Sequence, residues 1–194
     1  LRAADDLAIS KNLVDHPSSY SGESRLSGVQ ESTWAFNLIA GGDLTLASGV
    51  VVYTDDAPIY FETGGDATIG VVSATNTAYN YMVSNSVPYS IGTFYGSITG
   101  DVGGDLVLNG GVIQTAVGDI DLDVGGDVEL NKSGNFRGAI RTTGRAPDGS
   151  TQATVRYYWN YADGGDVFMN VGGSVLGGVN ADAWDYSTSS YYYA

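Results

Sequence analysis

The chain has 194 residues, enough for one sizeable domain with a continuous core. It carries 28 glycines, 14 tyrosines, and 22 acids against 8 lysines and arginines, for a net charge of −14; this argues against nucleic acid and anionic membrane surfaces as partners, since both reward clustered bases. With no cysteine there is no disulfide, thiolate nucleophile or cysteine-ligated metal, and no stretch approaches the ~20 apolar residues of a membrane span.

The opening "LRAADDLAIS" lacks the basic-then-apolar layout of a signal peptide, so an exported protein would contribute a mature or internal segment here. Its "ADDLAIS" is a degenerate copy of a motif that returns as "GGDLTL" (Gly41, Gly42, Asp43), "GGDATIG" (Gly64, Gly65, Asp66), "GGDLVLN" (Gly103, Gly104, Asp105), "GGDVELN" (Gly125, Gly126, Asp127) and "GGDVFMN" (Gly164, Gly165, Asp166). After each glycine pair, apolar and polar residues alternate with the period of two that marks a half-buried strand, and the glycines relieve the bend before it. Each copy therefore predicts a turn followed by a strand. Between the copies lie three stretches of proline and small polar residues, near 14–32, 84–90 and 144–150, which read as loop excursions on one side of the molecule.

In "GDIDLDVGGDVELN" (118–131), Ile120, Leu122, Val124, Val128 and Leu130 alternate with acids. The alternation predicts that the apolar residues face a core and that Asp119, Asp121, Asp123 and Glu129 face water. From Leu26 to Asn131 there are thirteen acids and no lysine or arginine, whereas Lys132, Arg137, Arg141, Arg145 and Arg156 follow within the next 25 residues. This is an acidic stretch followed by a basic one, read as a solvated surface, with a polar interface to a neighbouring chain as the alternative. Two aromatic clusters, "RYYWNYAD" and "WDYSTSSYYYA", close the chain; Trp159, Tyr161, Trp184 and Tyr186 are the candidate contact surface for a glycan or protein.

Successive glycine pairs are 23, 39, 22 and 39 residues apart, which resolves into a unit of about 61 residues with one short and one long interval. A four-stranded propeller blade does not fit in 22 residues, whereas one turn of a parallel β-helix, three short strands and three bends, does. The expectation is a single all-β domain over 1–194, a parallel β-helix of about eight or nine coils forming a rod of roughly 40 Å at ~4.8 Å per coil. Leu46, Leu108 and Met169, spaced by the unit, should then be buried at equivalent positions.

The order and spacing of "AADDLAIS", "STWAFNLIAGGDLTLASGVVV", "GDIDLDVGGDVELN" and "GAIRTTGRA" resemble the filamentous-haemagglutinin-like exoproteins of Gram-negative two-partner secretion. The resemblance covers most of residues 1–180. It implies a right-handed parallel β-helix within a long secreted fibre, located outside the cell or on its surface, and used in adhesion, biofilm matrix or toxin delivery. The implied partners are further repeats of the same or an identical chain and a host or microbial surface glycan or protein.

Stacked coils bring like carboxylates ~4.8 Å apart, where they repel, so the recurrent aspartates need a compensating role. An aspartate after a glycine bend commonly accepts a backbone N–H of its own turn. Calcium held by Asp105, Asp127, Asp121 and Asp123 is the alternative, although the nonapeptide of calcium β-rolls is not matched. No other cofactor is expected. An enzymatic reading would use carboxylate pairs such as Asp55 with Asp56 or Asp121 with Asp123 on a polysaccharide, but a lyase wants a base beside them. The one histidine, His16, lies in a proline- and serine-rich loop. No catalytic residue is expected, and a carbohydrate-active enzyme or glycan-binding module is the alternative to a structural and adhesive segment.

Overall fold

Short runs of alternating or continuous β-branched and leucine residues, cut by glycine every few positions, can pay for ordering only by stacking on one another. The computed structural model, which describes residues 1–15, 35–54, 56–71, 89–142 and 164–177, shows that they do. The chain visits three sheets in a fixed rotation. The first round is β1 (Arg2–Ala3), β2 (Leu7–Ile9) and β3 (Leu13–Asp15); the second is β4 (Phe36–Ala40), β5 (Leu44–Leu46) and β6 (Val52–Thr54). The third is β7 (Ile59–Thr63), β8 (Ala67–Ile69) and β9 (Ile91–Thr93); the fourth is β10 (Ile98–Val102), β11 (Leu106–Asn109) and β12 (Val112–Thr115). The fifth comprises β13 (Ile120–Val124), β14 (Val128–Ser133), a short antiparallel return β15 (Phe136–Arg137), and β16 (Ala139–Thr142). A sixth begins with β17 (Val167–Val171) and β18 (Val175–Gly177).

Apart from that return, every pairing is parallel and in register, so each residue sits over its counterpart in the next round. No helix occurs among the described residues. The core is the space enclosed by the three sheets, filled by Leu38, Phe61, Ile98, Ile120 and Leu122 from the first, Leu44, Leu46, Leu106 and Leu108 from the second, and Val52, Ile91 and Ile113 from the third. Phe61 is the largest of these side chains, and Gly100 makes its room: a Cβ there would run into the Phe61 ring and Leu122.

Two expectations need correction. The long interval from Gly64 to Gly103 holds one round with residues 72–88 inserted, one of the two contents its length allows, and the described residues make five full rounds and the start of a sixth, not eight or nine. At ~4.8 Å per round the stack is nearer ~25 Å than 40 Å. Second, "GGDVFMN" does not continue the column of the other glycine pairs. β17 pairs with β13, which places Met169 over Leu122 in the first sheet, whereas Leu46 and Leu108 lie in the second; Met169 is 42% exposed and the two leucines are buried. The true recurrence is "GDIDLDVGGDVEL" in "GDVFMNVGGSVLG", 47 residues later; a glycine-aspartate step introduces strands at more than one corner, so the step alone does not fix the column.

The connecting segments are inserted at two corners, both bordering the third sheet, and the side on which they stack lies outside the described residues. Residues 16–34 and 143–163 join the third sheet to the first, while 72–88 join the second to the third. Within the expected excursions, Val14 and Asp15 belong to β3, and Tyr89 and Ser90 are buried beside β9. The remainder of 14–32 and 84–90, and all of 144–150, lie outside the described residues.

Candidate functional site

The corner between the first and second sheets is built the same way in every round. The carboxylate of each aspartate turns along the stack and its Oδ1 accepts the backbone N–H of the corresponding residue one round on: Asp6 from Asp43 at 2.9 Å, Asp43 from Asp66 at 2.9 Å, Asp66 from Asp105 at 2.8 Å, Asp105 from Asp127 at 2.7 Å and Asp127 from Ser174 at 2.7 Å. The expected acceptance within the same turn is therefore replaced by acceptance between rounds. Charge-assisted bonds of this kind are about twice as strong as neutral ones and offset the repulsion of stacked carboxylates.

The glycines follow from this geometry. A Cβ on the second glycine of each pair (Gly42, Gly65, Gly104, Gly126, Gly173) would strike the carboxylate oxygen reaching up from the round before. On the first (Gly41, Gly64, Gly103, Gly125, Gly172) it would strike a backbone carbonyl of that round. Gly165 and Asp166 repeat the device at a different corner, before the first sheet, where Asp119 Oδ1 accepts the Asp166 N–H at 2.8 Å. Gly164 immediately precedes them.

The outer face of the first sheet carries the remaining acids. One column runs Arg2, Ile39, Glu62, Asp101, Asp123, Asn170; the next runs Asn37, Tyr60, Thr99, Asp121, Phe168. Tyr60 donates to Glu62 Oε2 at 2.9 Å; that bond, with burial and the charges of Glu62 and Asp101, holds its phenol above the ordinary 10.0. Asp121 and Asp123 point to solvent on either side of Leu122, and the only base in these two columns is Arg2, at the far end. Neither pairs with Asp105 or Asp127, whose Oδ1 atoms are taken up in the corner. Among the described residues no group of three or more acids and histidines is placed to hold a metal ion. Asp56 is half-buried. Asp55, His16, Trp159, Tyr161, Trp184 and Tyr186 lie outside the described residues.

The third sheet behaves differently, in a way the alternation rule missed. Its outward residues are buried as well: Val51, Tyr53, Tyr89 and Val112 form a second apolar cluster outside the main core, with Gln114 buried beside them. Tyr89 packs on Tyr53 with ring centroids 5.4 Å apart, and its ring lies over Gly92, where any side chain would collide with it. Inward, Thr54, Thr115 and Thr142 give their hydroxyls to the carbonyls of Ala57, Gly118 and Gly165 at the corner that follows, so these polar groups are satisfied.

Of the basic residues, Lys132 and Arg137 face each other across the β14–β15 return. Arg141 is partly buried on β16. Its Nε donates to Gln114 Oε1 at 2.7 Å and its buried Nη2 has no partner, while burial lowers its pKa from the ordinary guanidinium value to about 10. No family model, curated protein or solved structure matches this chain.

Proposed function

We propose that the chain is a right-handed parallel β-helix serving as a structural and adhesive segment of an extracellular bacterial fibre, of the filamentous-haemagglutinin-like kind. The observation that carries this reading is the aspartate column: a backbone-to-carboxylate bond repeated through five steps, with glycines cleared for it, is a device for extending a stack and uses the conspicuous acids structurally. The right hand follows from the preference of parallel crossovers. Three further features support a rod over an enzyme. The outer acids of the first sheet lie in open columns with no base between them, the described residues converge on no metal, and −14 of net charge disfavours lateral clumping of rods.

The reading places the protein outside a Gram-negative cell, with further repeats, or a surface glycan or protein, as its partners. An antibody raised against the folded chain should label intact cells of the source bacterium, with the label removed by external protease. Signal confined to the soluble cytoplasmic fraction would overturn the assignment. Incubation with acidic polysaccharides should release no new reducing ends; release that disappears in Asp121→Asn or Asp123→Asn would instead establish the carbohydrate-active alternative.

A further inference from the structure

The fourth and fifth rounds differ at the corner between the second and third sheets. Asn109 and Gly111 of the fourth are separated by one glycine, whereas residues 132–137 stand between their counterparts Asn131 and Gly138. The insertion folds into the β14–β15 hairpin, with Lys132 opposite Arg137 and Ser133 opposite Phe136, and turns at Gly134 with a φ of 61°. Lys132, Gly134 and Asn135 are exposed. The Asn131 carbonyl anchors the base of the hairpin, accepting the N–H of Gly110 and the N–H of Gly138, each at 2.9 Å.

The same insertion completes a motif. Asn131 is the only asparagine in the chain with serine or threonine two residues on, and "NKS" (131–133), with no proline between, is the acceptor pattern for N-linked glycans. An acceptor must turn its amide outward. Leu130 packs against the core, so by strand alternation the side chains of Glu129 and Asn131 share the outer face. There Asn131 Nδ2 donates to Glu129 Oε2 at 2.9 Å and to Asn109 Oδ1 at 3.3 Å. A carboxamide nitrogen is a poor nucleophile because its lone pair is delocalised into the carbonyl, and a carboxylate accepting its N–H returns electron density to it. An acid two residues before Asn131 and a hydroxyl two residues after it thus flank this nitrogen at the root of an exposed projection.

We propose that Asn131 is the acceptor of an N-linked oligosaccharide. The donor is a polyprenyl-pyrophosphate-linked sugar used by an oligosaccharyltransferase beyond the cytoplasm, so occupancy in nature rests on the export that the fibre reading requires. The bond from Nδ2 to the anomeric carbon forms as the bond from that carbon to the pyrophosphate oxygen breaks. The electron pair leaves on the pyrophosphate, and the amide proton passes to a carboxylate of the transferase. One of the two Nδ2 hydrogens remains, and the longer bond, to exposed Asn109, is the one given up. The glycan leaves the second sheet beside the hairpin, at the opposite end of β14 from Asp127 and the aspartate corner.

The test is to export the chain behind a signal peptide in cells supplied with a bacterial oligosaccharyltransferase and a lipid-linked oligosaccharide of known mass. The intact mass should rise by one oligosaccharide, with fragmentation placing it on Asn131. Asn131→Gln and Ser133→Ala should abolish the addition and Glu129→Gln should lose most of it, whereas Asn109→Ala, which removes only a structural acceptor, should retain it. An unmodified chain beside a modified reporter carrying a flexible acceptor sequence, or an addition that survives Ser133→Ala, would overturn the site. Because the signal peptide supplies export, this result is separate from the fibre reading: antibody signal confined to the cytoplasm of the source bacterium removes that reading and leaves the acceptor standing.

Discussion

The first and third sheets share parallel pairing and register, yet the first is wet outside and the third, through its inner strands β6, β9 and β12, is buried on both faces. In β10 and β13 the outward positions are Thr99, Asp101, Asp121 and Asp123, all exposed, whereas in β6, β9 and β12 the corresponding positions are Tyr53, Gly92 and Gln114, all buried. All three connecting segments leave the frame at corners bordering the third sheet, and the corner between the first and second, held by the aspartate column, receives none. A parallel sheet enclosed on both sides loses its alternation and reads as a continuous apolar run. The comparison teaches that stacking requires a uniform backbone only at the pinned corner, and that length variation is confined to corners where no such column runs through.

The largest effect should come from the core that both sheets share. Leu108→Asp puts an unpaired charge in a dry interior and should cost ~4 kcal/mol or more, abolishing cooperative urea unfolding near room temperature. Val112→Asp, on the outer face of the third sheet, should approach that penalty, whereas a charge at the outer positions of the first sheet is already tolerated; equal tolerance at the two places would erase the distinction between the sheets.

Next come the two glycines that make room for rings, Gly100 under Phe61 inside the first sheet and Gly92 under Tyr89 outside the third. Alanine at either should cost ~1–3 kcal/mol by overpacking, with Gly100 the more sensitive because its neighbours are enclosed on all sides. Asp105→Ala removes the acceptor of the Asp127 N–H and should cost ~1–2 kcal/mol in denaturant unfolding, with Asp105→Asn recovering part of it through its amide oxygen. The outer acid Asp121→Asn should stay within ~0.5 kcal/mol and lean towards stabilisation, since it relieves repulsion along the sheet.

Arg141→Met sharpens the contrast from the other direction. Removing a partly buried guanidinium with an unpartnered nitrogen should leave stability unchanged or raise it by ~1 kcal/mol at neutral pH. Burial lowers the folded-state pKa to about 10, well below that of a free guanidinium, so between the two the unfolded chain holds more protons and the contribution of Arg141 to stability rises with pH. The advantage of the methionine variant, measured as the difference in urea midpoint, should therefore shrink as pH climbs past about 10.

The strands were largely legible. Leu44 and Leu46, Leu106 and Leu108, and Ile120, Leu122 and Val124 alternate as half-buried strands should, and the short interval of 22 residues holds one round. Side-chain alternation is a local property of extended backbone, visible wherever one face is wet. Where both faces are covered, as at "VIQT" (112–115), nothing in the local pattern distinguishes inside from outside.

What the amino-acid sequence determined by itself is where the chain bends and where it extends, because the glycine pairs and the β-branched and leucine runs act through backbone sterics over a few residues. What only the tertiary structure decided is the partner of each aspartate and the place of the last glycine pair. The bond from the Asp105 N–H goes to a carboxylate 39 residues away, and the choice between two corners for Asp166 is made by the whole five-residue match of β17 on β13. A glycine-aspartate step suits either corner locally, so the decision falls to the summed hydrogen bonds and apolar contacts between rounds, which no single stretch of sequence contains.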